Sequence, residues 1–201
     1  MCGAEPQAQG LQNIEVDAGS EQYRLDLMHH LLMITLDRKL YLAPLKEENL
    51  KRILDVGTGT GIWAIEMDDN SLRPDSQLHK FVNTIDEGCT KLGKHLFTGP
   101  KFSGLLKDAG FTNIRVQTYK IPMGPWPKDK KMKEIGTVNL IQYLEGMEAF
   151  SYRLLISVLG WKLEEVQVFN AKVTQEIKSK TVHAYYIFYV AYGQKPEEEE
   201  E

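Results

Sequence analysis

A glycine-rich segment contains the residues that are best suited to bind a ligand. It has the sequence Asp55-Val56-Gly57-Thr58-Gly59-Thr60-Gly61, and the apolar run that leads into it, from Leu50, predicts a buried strand. Glycine has no Cβ, so the backbone of such a segment can approach a ligand closely. The next residues, 62–65, are typical of a helix whose first N–H groups would face the same ligand. We therefore predict a binding loop between a strand and a helix.

The spacing of the glycines excludes two common nucleotide-binding motifs. A dinucleotide fingerprint requires G-x-G-x-x-G, and Ile62 stands where its third glycine belongs. A P-loop requires a following Gly-Lys-Ser/Thr, which the chain lacks at this place. The alternative is a tight strand-to-helix turn without a ligand, although three alternating glycines and a preceding acid are more than a turn needs.

The pattern Asp-x-Gly-x-Gly-x-Gly resembles the first motif of the S-adenosylmethionine-dependent methyltransferases. In that family, the loop wraps the methionine end of the cofactor and the acid helps to orient it. The resemblance implies that S-adenosyl-L-methionine is bound by the acid and the five loop residues: Asp55, Gly57, Thr58, Gly59, Thr60 and Gly61.

Motifs on both sides of the loop make this resemblance more specific. They are Thr35-Leu36-Asp37-Arg38-Lys39-Leu40-Tyr41, Asp108-Ala109-Gly110-Phe111, Ile121-Pro122-Met123-Gly124-Pro125-Trp126, Lys133-Glu134-Ile135-Gly136 and Leu159-Gly160-Trp161. Over about residues 21–196, they resemble the fungal methyltransferases of secondary metabolism, the group that includes the velvet-complex regulator methyltransferase. The resemblance implies methyl transfer to a small-molecule scaffold. The alternative is a catalytically impaired protein that binds a protein partner as a regulatory module.

One block of the family pattern is missing after Met67. The family continues there through its second to fifth strands, which include a ribose-binding acid and the adenine pocket, whereas this chain passes directly to Asp68. We predict that roughly eighty residues are absent, including the acid that normally follows the loop on the second strand. Asp86 would replace that acid if residues 81–85 formed a strand. However, the apolar spacing there continues through Cys89 and Leu92 and predicts a helix.

The remaining pattern predicts helices and strands along the whole chain. Helices are expected at about 21–36, 77–95, 101–109, 129–148, 150–159 and 163–179, and strands at about 52–57, 112–120 and 182–192. Ser76 should cap the second helix and Gly110 should end the third. The resemblance implies an α/β, Rossmann-like class I methyltransferase fold, truncated in the sheet and with a helix-rich second half. A methyltransferase-like domain at 21–196 is expected between a disordered segment, 1–20, and an acidic tail, 197–201.

Charge and composition exclude several classes of protein. The net charge is −4, but without Glu197–Glu201 the chain has 23 acidic and 24 basic side chains, so no broad basic field is expected to bind nucleic acid directly. Two cysteines, Cys2 and Cys89, predict neither a disulfide framework nor a metal site. No apolar stretch has the length of a membrane span, and no signal peptide is recognised. We therefore expect a cytoplasmic protein, with the nucleus as the alternative compartment.

The catalytic residues are not identified by the sequence. His29 and His30 precede the loop, and either could accept a proton from a substrate hydroxyl. The simpler interpretation is that one caps or packs within a helix and the other faces solvent. His183 precedes the last strand and is expected to be structural. Trp126, between prolines, is interpreted either as lining a substrate pocket or as an anchor of the core or of a lid.

Overall fold

The computed structural model describes residues 18–45, 75–94, 98–179 and 181–196 of the chain. Its main elements, in chain order, are α1 Ala18–Thr35, α2 Gln77–Lys91, α3 Phe102–Asp108, β1 Thr112–Pro122, α4 Lys130–Ser151, α5 Leu163–Lys178 and β2 Tyr185–Gln194. A 3₁₀ turn, Gly99–Lys101, leads into α3, and a π-helix, Tyr152–Ile156, continues α4. Helix α1 begins three residues before the predicted domain boundary at residue 21. The predicted strand at 52–57 lies outside the described residues.

Strands β1 and β2 form one antiparallel pair. Their register runs from Thr112 opposite Gln194 to Pro122 opposite Tyr185, and it shifts near Asn113, which takes a positive φ of 51°. Asparagine adopts this left-handed conformation more readily than most residues. Within the described ranges the sheet contains these two strands, so this part of the chain combines helices with a small antiparallel sheet. The parallel sheet of the predicted fold class requires further strands and stays a prediction.

Helix α2 forms as its apolar spacing predicts. Its buried stripe consists of Leu78, Phe81, Val82, Ile85, Gly88 and Cys89. Ser76 caps the helix as predicted, because its Oγ accepts a hydrogen bond from the His79 N–H at 3.2 Å. The carboxylate of Glu176, in α5, accepts a bond from the Leu78 N–H at 2.6 Å and another from the Ser76 hydroxyl at 3.0 Å. A residue about a hundred positions later therefore fixes where α2 begins.

Phe81 is at the centre of the hydrophobic core, with 2% of its surface exposed. Its ring centroid lies 5.7 Å from that of Phe169, 5.9 Å from that of Phe150 and 6.4 Å from that of Tyr143, separations at which aromatic rings attract each other. Burial of a phenylalanine side chain contributes about 1.5–3 kcal/mol to folding. These rings belong to α2, α4 and α5, so Phe81 connects three helices.

Helix α4 is longer than the sequence pattern predicts. The predicted break at about residue 149 is wrong, because the α-helix continues to Ser151 and then widens into the π-helix. Neither glycine nor proline is present at residues 147–152 to end it. Met147 lies in the core, and Met132 and Phe150 pack against the core as half-buried side chains.

Helix α4 also approaches the loop after β1 at backbone distance. A Cβ on Gly136 would lie 2.0 Å from the Gly124 carbonyl oxygen, so only glycine fits at this position of the helix. Farther along α4, Gly146 faces the buried Arg24 of α1, and a Cβ there would lie 3.0 Å from Arg24 Cδ. The Arg24 guanidinium donates to both carboxylate oxygens of Glu21, at 2.7 and 2.8 Å. Two glycines therefore let α4 contact the sheet loop and α1 closely.

We predict that Gly136→Ala lowers the free energy of unfolding by about 3 kcal/mol or more, because the rigid Gly124 carbonyl blocks the added methyl group. Gly104→Ala is the matched control. It also lies in a helix, nothing stands within 4 Å of its added Cβ, and a gain of about 0.5–1 kcal/mol is expected. Urea unfolding of the two variants would measure the difference, and equal midpoints would contradict the close approach.

Candidate functional site

The predicted cofactor-binding residues lie outside the part of the chain that the structure describes. This applies to all six of them: Asp55, Gly57, Thr58, Gly59, Thr60 and Gly61. Their role in binding stays a prediction. The described residues nevertheless test whether the second half of a cofactor site is present.

Asp86 is not the acid at the end of a strand. It lies inside α2, and the alternative in which residues 81–85 form a strand is wrong, because their apolar side chains face the core with helical period. The described strands end at Pro122 and Gln194, and neither residue is an acid. Within the described ranges, therefore, no strand end provides the ribose partner that such a cofactor site requires.

The two histidines of α1 are both exposed. His29 and His30 lie in the middle of the helix, so the expectation that one of them packs or caps is wrong. His183 lies just before β2, and its ring stacks on Trp126 with 5.1 Å between centroids and 28° between planes. This contact agrees with a structural role for His183.

Trp126 anchors the loop that connects β1 to α4. Its indole N–H donates to the Ala184 carbonyl oxygen at 3.1 Å, and the Met123 N–H donates to the same oxygen at 2.9 Å. One carbonyl before β2 therefore holds two points of the loop. The Trp126 side chain remains 36% exposed, so one part of the indole is fixed to the sheet and another part faces solvent.

A buried polar cluster on α4 holds the start of this loop. Asn139 of α4 is fully buried, and its amide nitrogen donates to the Pro122 carbonyl oxygen at 2.8 Å and contacts the Met123 sulfur at 3.2 Å. Its amide oxygen accepts bonds from Gln142 Nε2 at 3.0 Å and from the Tyr186 hydroxyl at 3.2 Å. Burial raises the pKa of Tyr186, which keeps this hydroxyl protonated as a donor. One amide therefore connects α4, β1 and β2.

The sequence contains a local signal for this cluster. Ile135, Asn139, Gln142 and Gly146 recur at helical spacing, and the structure buries all four. Two amides on an otherwise apolar face indicate a buried polar network, because unpaired amides are costly there. The partners of the amides, Pro122 and Tyr186, are too distant in sequence to be recognised from this pattern.

An open apolar groove of about 460 Å³ lies between α3 and β2. It is lined by Phe102, Leu105, Leu106, Phe188, Tyr189, Val190 and Ala191. None of these side chains is charged, so the groove offers hydrophobic contact and no obvious acid or base. The groove lies against β2, and no residue of the loop that contains Trp126 lines it.

The described part of the chain contains no cluster of histidine, cysteine, aspartate and glutamate that could hold a metal ion. None of its helices has the length and hydropathy of a membrane span. Cys89 is a buried thiol in α2, and its burial, together with the Asp86 charge, raises its pKa. Cys89 therefore contributes to the packing of the core.

Comparison with known proteins identifies the relatives of the chain. Methyltransferase pytC of Aspergillus terreus is 28% identical over 263 positions, which cover 88% of this chain and 81% of the relative. The probable methyltransferase tdiE of Emericella nidulans is 34% identical over 132 residues, covering 66% of this chain and 42% of the relative. Protein laeA of the same species is 33% identical over 91 residues, 45% of this chain and 24% of the relative.

The names of these relatives show which proteins the chain is similar to. The laeA relative is named both a protein-methionine methyltransferase and a secondary metabolism regulator. The chain is therefore a homologue of fungal methyltransferases and of the secondary metabolism regulators related to them, as its motifs predicted. No family model matches the chain, and no solved structure matches it.

The alignment lengths agree with a missing block. The match to pytC spans 263 positions, but 88% of 201 residues is about 177, so about 86 positions of that alignment lie opposite gaps in this chain. The match to tdiE spans 132 positions and 66% of this chain, which is also about 132 residues, so few of its positions lie opposite gaps. The size of the predicted gap is thus supported, and its location after Met67 stays a prediction.

We predict that Asn139→Ala lowers the free energy of unfolding by about 3 kcal/mol or more, because it leaves several buried polar groups without partners. Tyr186→Phe removes one donor and should cost about 1 kcal/mol. Thr137→Ala, at an exposed position of the same helix, is the control and should change stability by less than about 0.5 kcal/mol. Chemical denaturation of the three variants would measure these effects. If Asn139→Ala behaves like the control, the cluster does not hold the loop.

Proposed function

We propose that this chain is an S-adenosylmethionine-dependent methyltransferase of fungal secondary metabolism that acts on a small-molecule scaffold. The cofactor-binding residues proposed are Asp55 and the glycine-rich loop, Gly57–Gly61. The observation that carries the proposal is the match to pytC across 88% of the chain, together with this motif. The proposed fold is a class I methyltransferase fold with a shortened sheet, and the proposed compartment is the cytoplasm or, alternatively, the nucleus.

The described residues do not complete a site for this cofactor. They provide no acid at a strand end, since Asp86 is helical, and the missing block is the part of the family pattern that holds the adenosine half. Loss of ribose hydrogen bonds and adenine burial would remove several kcal/mol of binding, where each 1.4 kcal/mol is about tenfold in affinity. The proposal is therefore a methyltransferase by descent, whose cofactor affinity is weakened, and no reaction step is assigned to its residues.

The laeA relative favours a second candidate function. A regulator acts through protein contacts, and the chain retains an ordered helical second half with an open apolar groove on its sheet. In this alternative, the protein has lost useful cofactor binding and serves as an interaction module. Cofactor binding distinguishes the two functions, because a module of this kind has no need of S-adenosylmethionine.

We predict that Gly57→Val or Gly59→Val abolishes the binding of S-adenosylmethionine, with calorimetry of the wild type and the variants as the measurement. A β-branched side chain would occupy the path of the methionine moiety and would resist a positive φ. Gly104→Val is the matched control, since a Cβ at that position meets nothing within 4 Å. Wild-type affinity in both loop variants would show that the glycine-rich loop is not the site.

A graft tests the contribution of the missing block. We predict that inserting the corresponding block of pytC between Met67 and Asp68 increases the affinity for S-adenosylhomocysteine about a hundredfold, equivalent to about 3 kcal/mol. Methionine, which lacks the adenosine, should bind no better to the grafted protein. If the ungrafted chain already binds S-adenosylhomocysteine at micromolar concentration and the graft changes nothing, the adenosine pocket is built from other residues of this chain.

A further inference from the structure

Side chains from two elements form a basic surface at one corner of the protein. We call it the basic corner, and it consists of Arg38, Lys39, Lys128, Lys130, Lys131 and Lys133. All six are exposed. The Asp37 carboxylate joins the two elements, because it accepts a hydrogen bond from Lys131 Nζ at 2.5 Å, and this contact lowers the pKa of Asp37. The positive charges after α1 and at the start of α4 are thus brought side by side.

The basic corner is not neutralised within the described residues. Three carboxylates lie among the six cations: Asp37, Asp129 and Glu134. Asp37 pairs with Lys131, and Asp129 accepts the Met132 N–H at 2.9 Å as the cap of α4. The first turn of α4 contains no acid, and the helix dipole disfavours lysine there. An external anion would therefore relieve repulsion as well as add attraction.

The chain contains a segment of matching charge. Five consecutive glutamates, Glu197–Glu201, follow Lys195 and Pro196, which are both exposed after β2. An acidic peptide suits the basic corner better than nucleic acid, because the rest of the chain is close to neutral and offers no wider basic field.

The glutamate run follows the end of the sheet that is opposite the basic corner. Asn139 contacts Pro122 and Gly136 contacts Gly124, so the first turns of α4 lie near the Pro122 end of the sheet. The basic corner is therefore near the Pro122 end of the sheet, whereas β2 ends at Gln194 on the opposite end. These ends are about 30 Å apart, and the seven residues from Gln194 to Glu201 span at most about 25 Å, which is less than this separation.

We propose that the basic corner binds Glu197–Glu201 of a second copy of this chain. Such a contact joins two different surfaces, the basic corner of one copy and the glutamate run of another. Two copies joined in this way still have one free basic corner and one free glutamate run, which can bind further copies. The resulting association is open-ended, and because it is an exposed charge contact, it weakens as salt is added.

Sedimentation velocity at low and high sodium chloride tests this proposal. The wild-type average mass should rise with protein concentration at low salt and return to that of the monomer at high salt. Changing all five glutamates to glutamine should weaken association at least tenfold, and so should Lys130→Gln with Lys133→Gln. Lys101→Gln with Lys107→Gln, on exposed lysines around α3, is the matched control and should associate as the wild type does.

Two further measurements separate this proposal from its alternatives. A Lys-Pro-Glu₅ peptide should dissociate the wild-type assemblies, and a Lys-Pro-Gln₅ peptide should not. The Lys130/Lys133 variant should melt at an equal or higher temperature than the wild type, which excludes misfolding as the cause of its weaker association. A monomeric wild type at low salt, or association unchanged in the glutamine-run variant, would overturn the proposal. Tighter binding of a single-stranded RNA oligomer than of the glutamate peptide would reassign the basic corner to nucleic acid.

Discussion

The described structure depends on one buried amide. Asn139 satisfies the last carbonyl of β1 and accepts the hydroxyl of Tyr186 in β2, while Gly136, one turn earlier, lets the same helix touch the loop after β1. A two-stranded sheet is marginal by itself and needs packing against a helix. Here, that packing is directional, since hydrogen bonds of a buried side chain require one register and one distance. The position of α4, and with it the positions of α1 and α5, follows from this contact.

The helical elements could be predicted from the sequence because their signals are local. The apolar period of α2, its cap at Ser76, and Gly110 after α3, with its φ of 84°, are each recognisable within a few residues. The contacts that organise these elements are not local. Tyr186 reaches Asn139 across 47 positions, and Glu176 reaches Leu78 across 98. A single sequence gives no indication of such pairs, since each partner alone resembles an ordinary polar residue of its helix or strand.

The candidate cofactor site is predictable for a different reason. Glycines at fixed spacing describe what a backbone must do near a ligand, so the motif identifies a binding loop without any knowledge of the surrounding fold. The acid that completes such a site is defined only by its place at a strand end, and the apolar spacing through Cys89 and Leu92 predicts a helix at residues 81–86 instead. The burial of Phe81, Val82 and Ile85 in the core confirms the helix. Helical packing therefore excludes Asp86 from the role that its position in sequence had offered.

The hydrogen bonds that Glu176 accepts from the start of α2 have a consequence for the segment that connects α1 to α2. Because a carboxylate of α5 fixes the first turn of α2, that turn does not depend on the length of the chain that precedes it. The free energy of closing a connecting segment changes slowly with its length, by about 0.6 kcal/mol for each doubling. The segment between α1 and Asp75 can thus differ in length while the first turn of α2 keeps its place against α5.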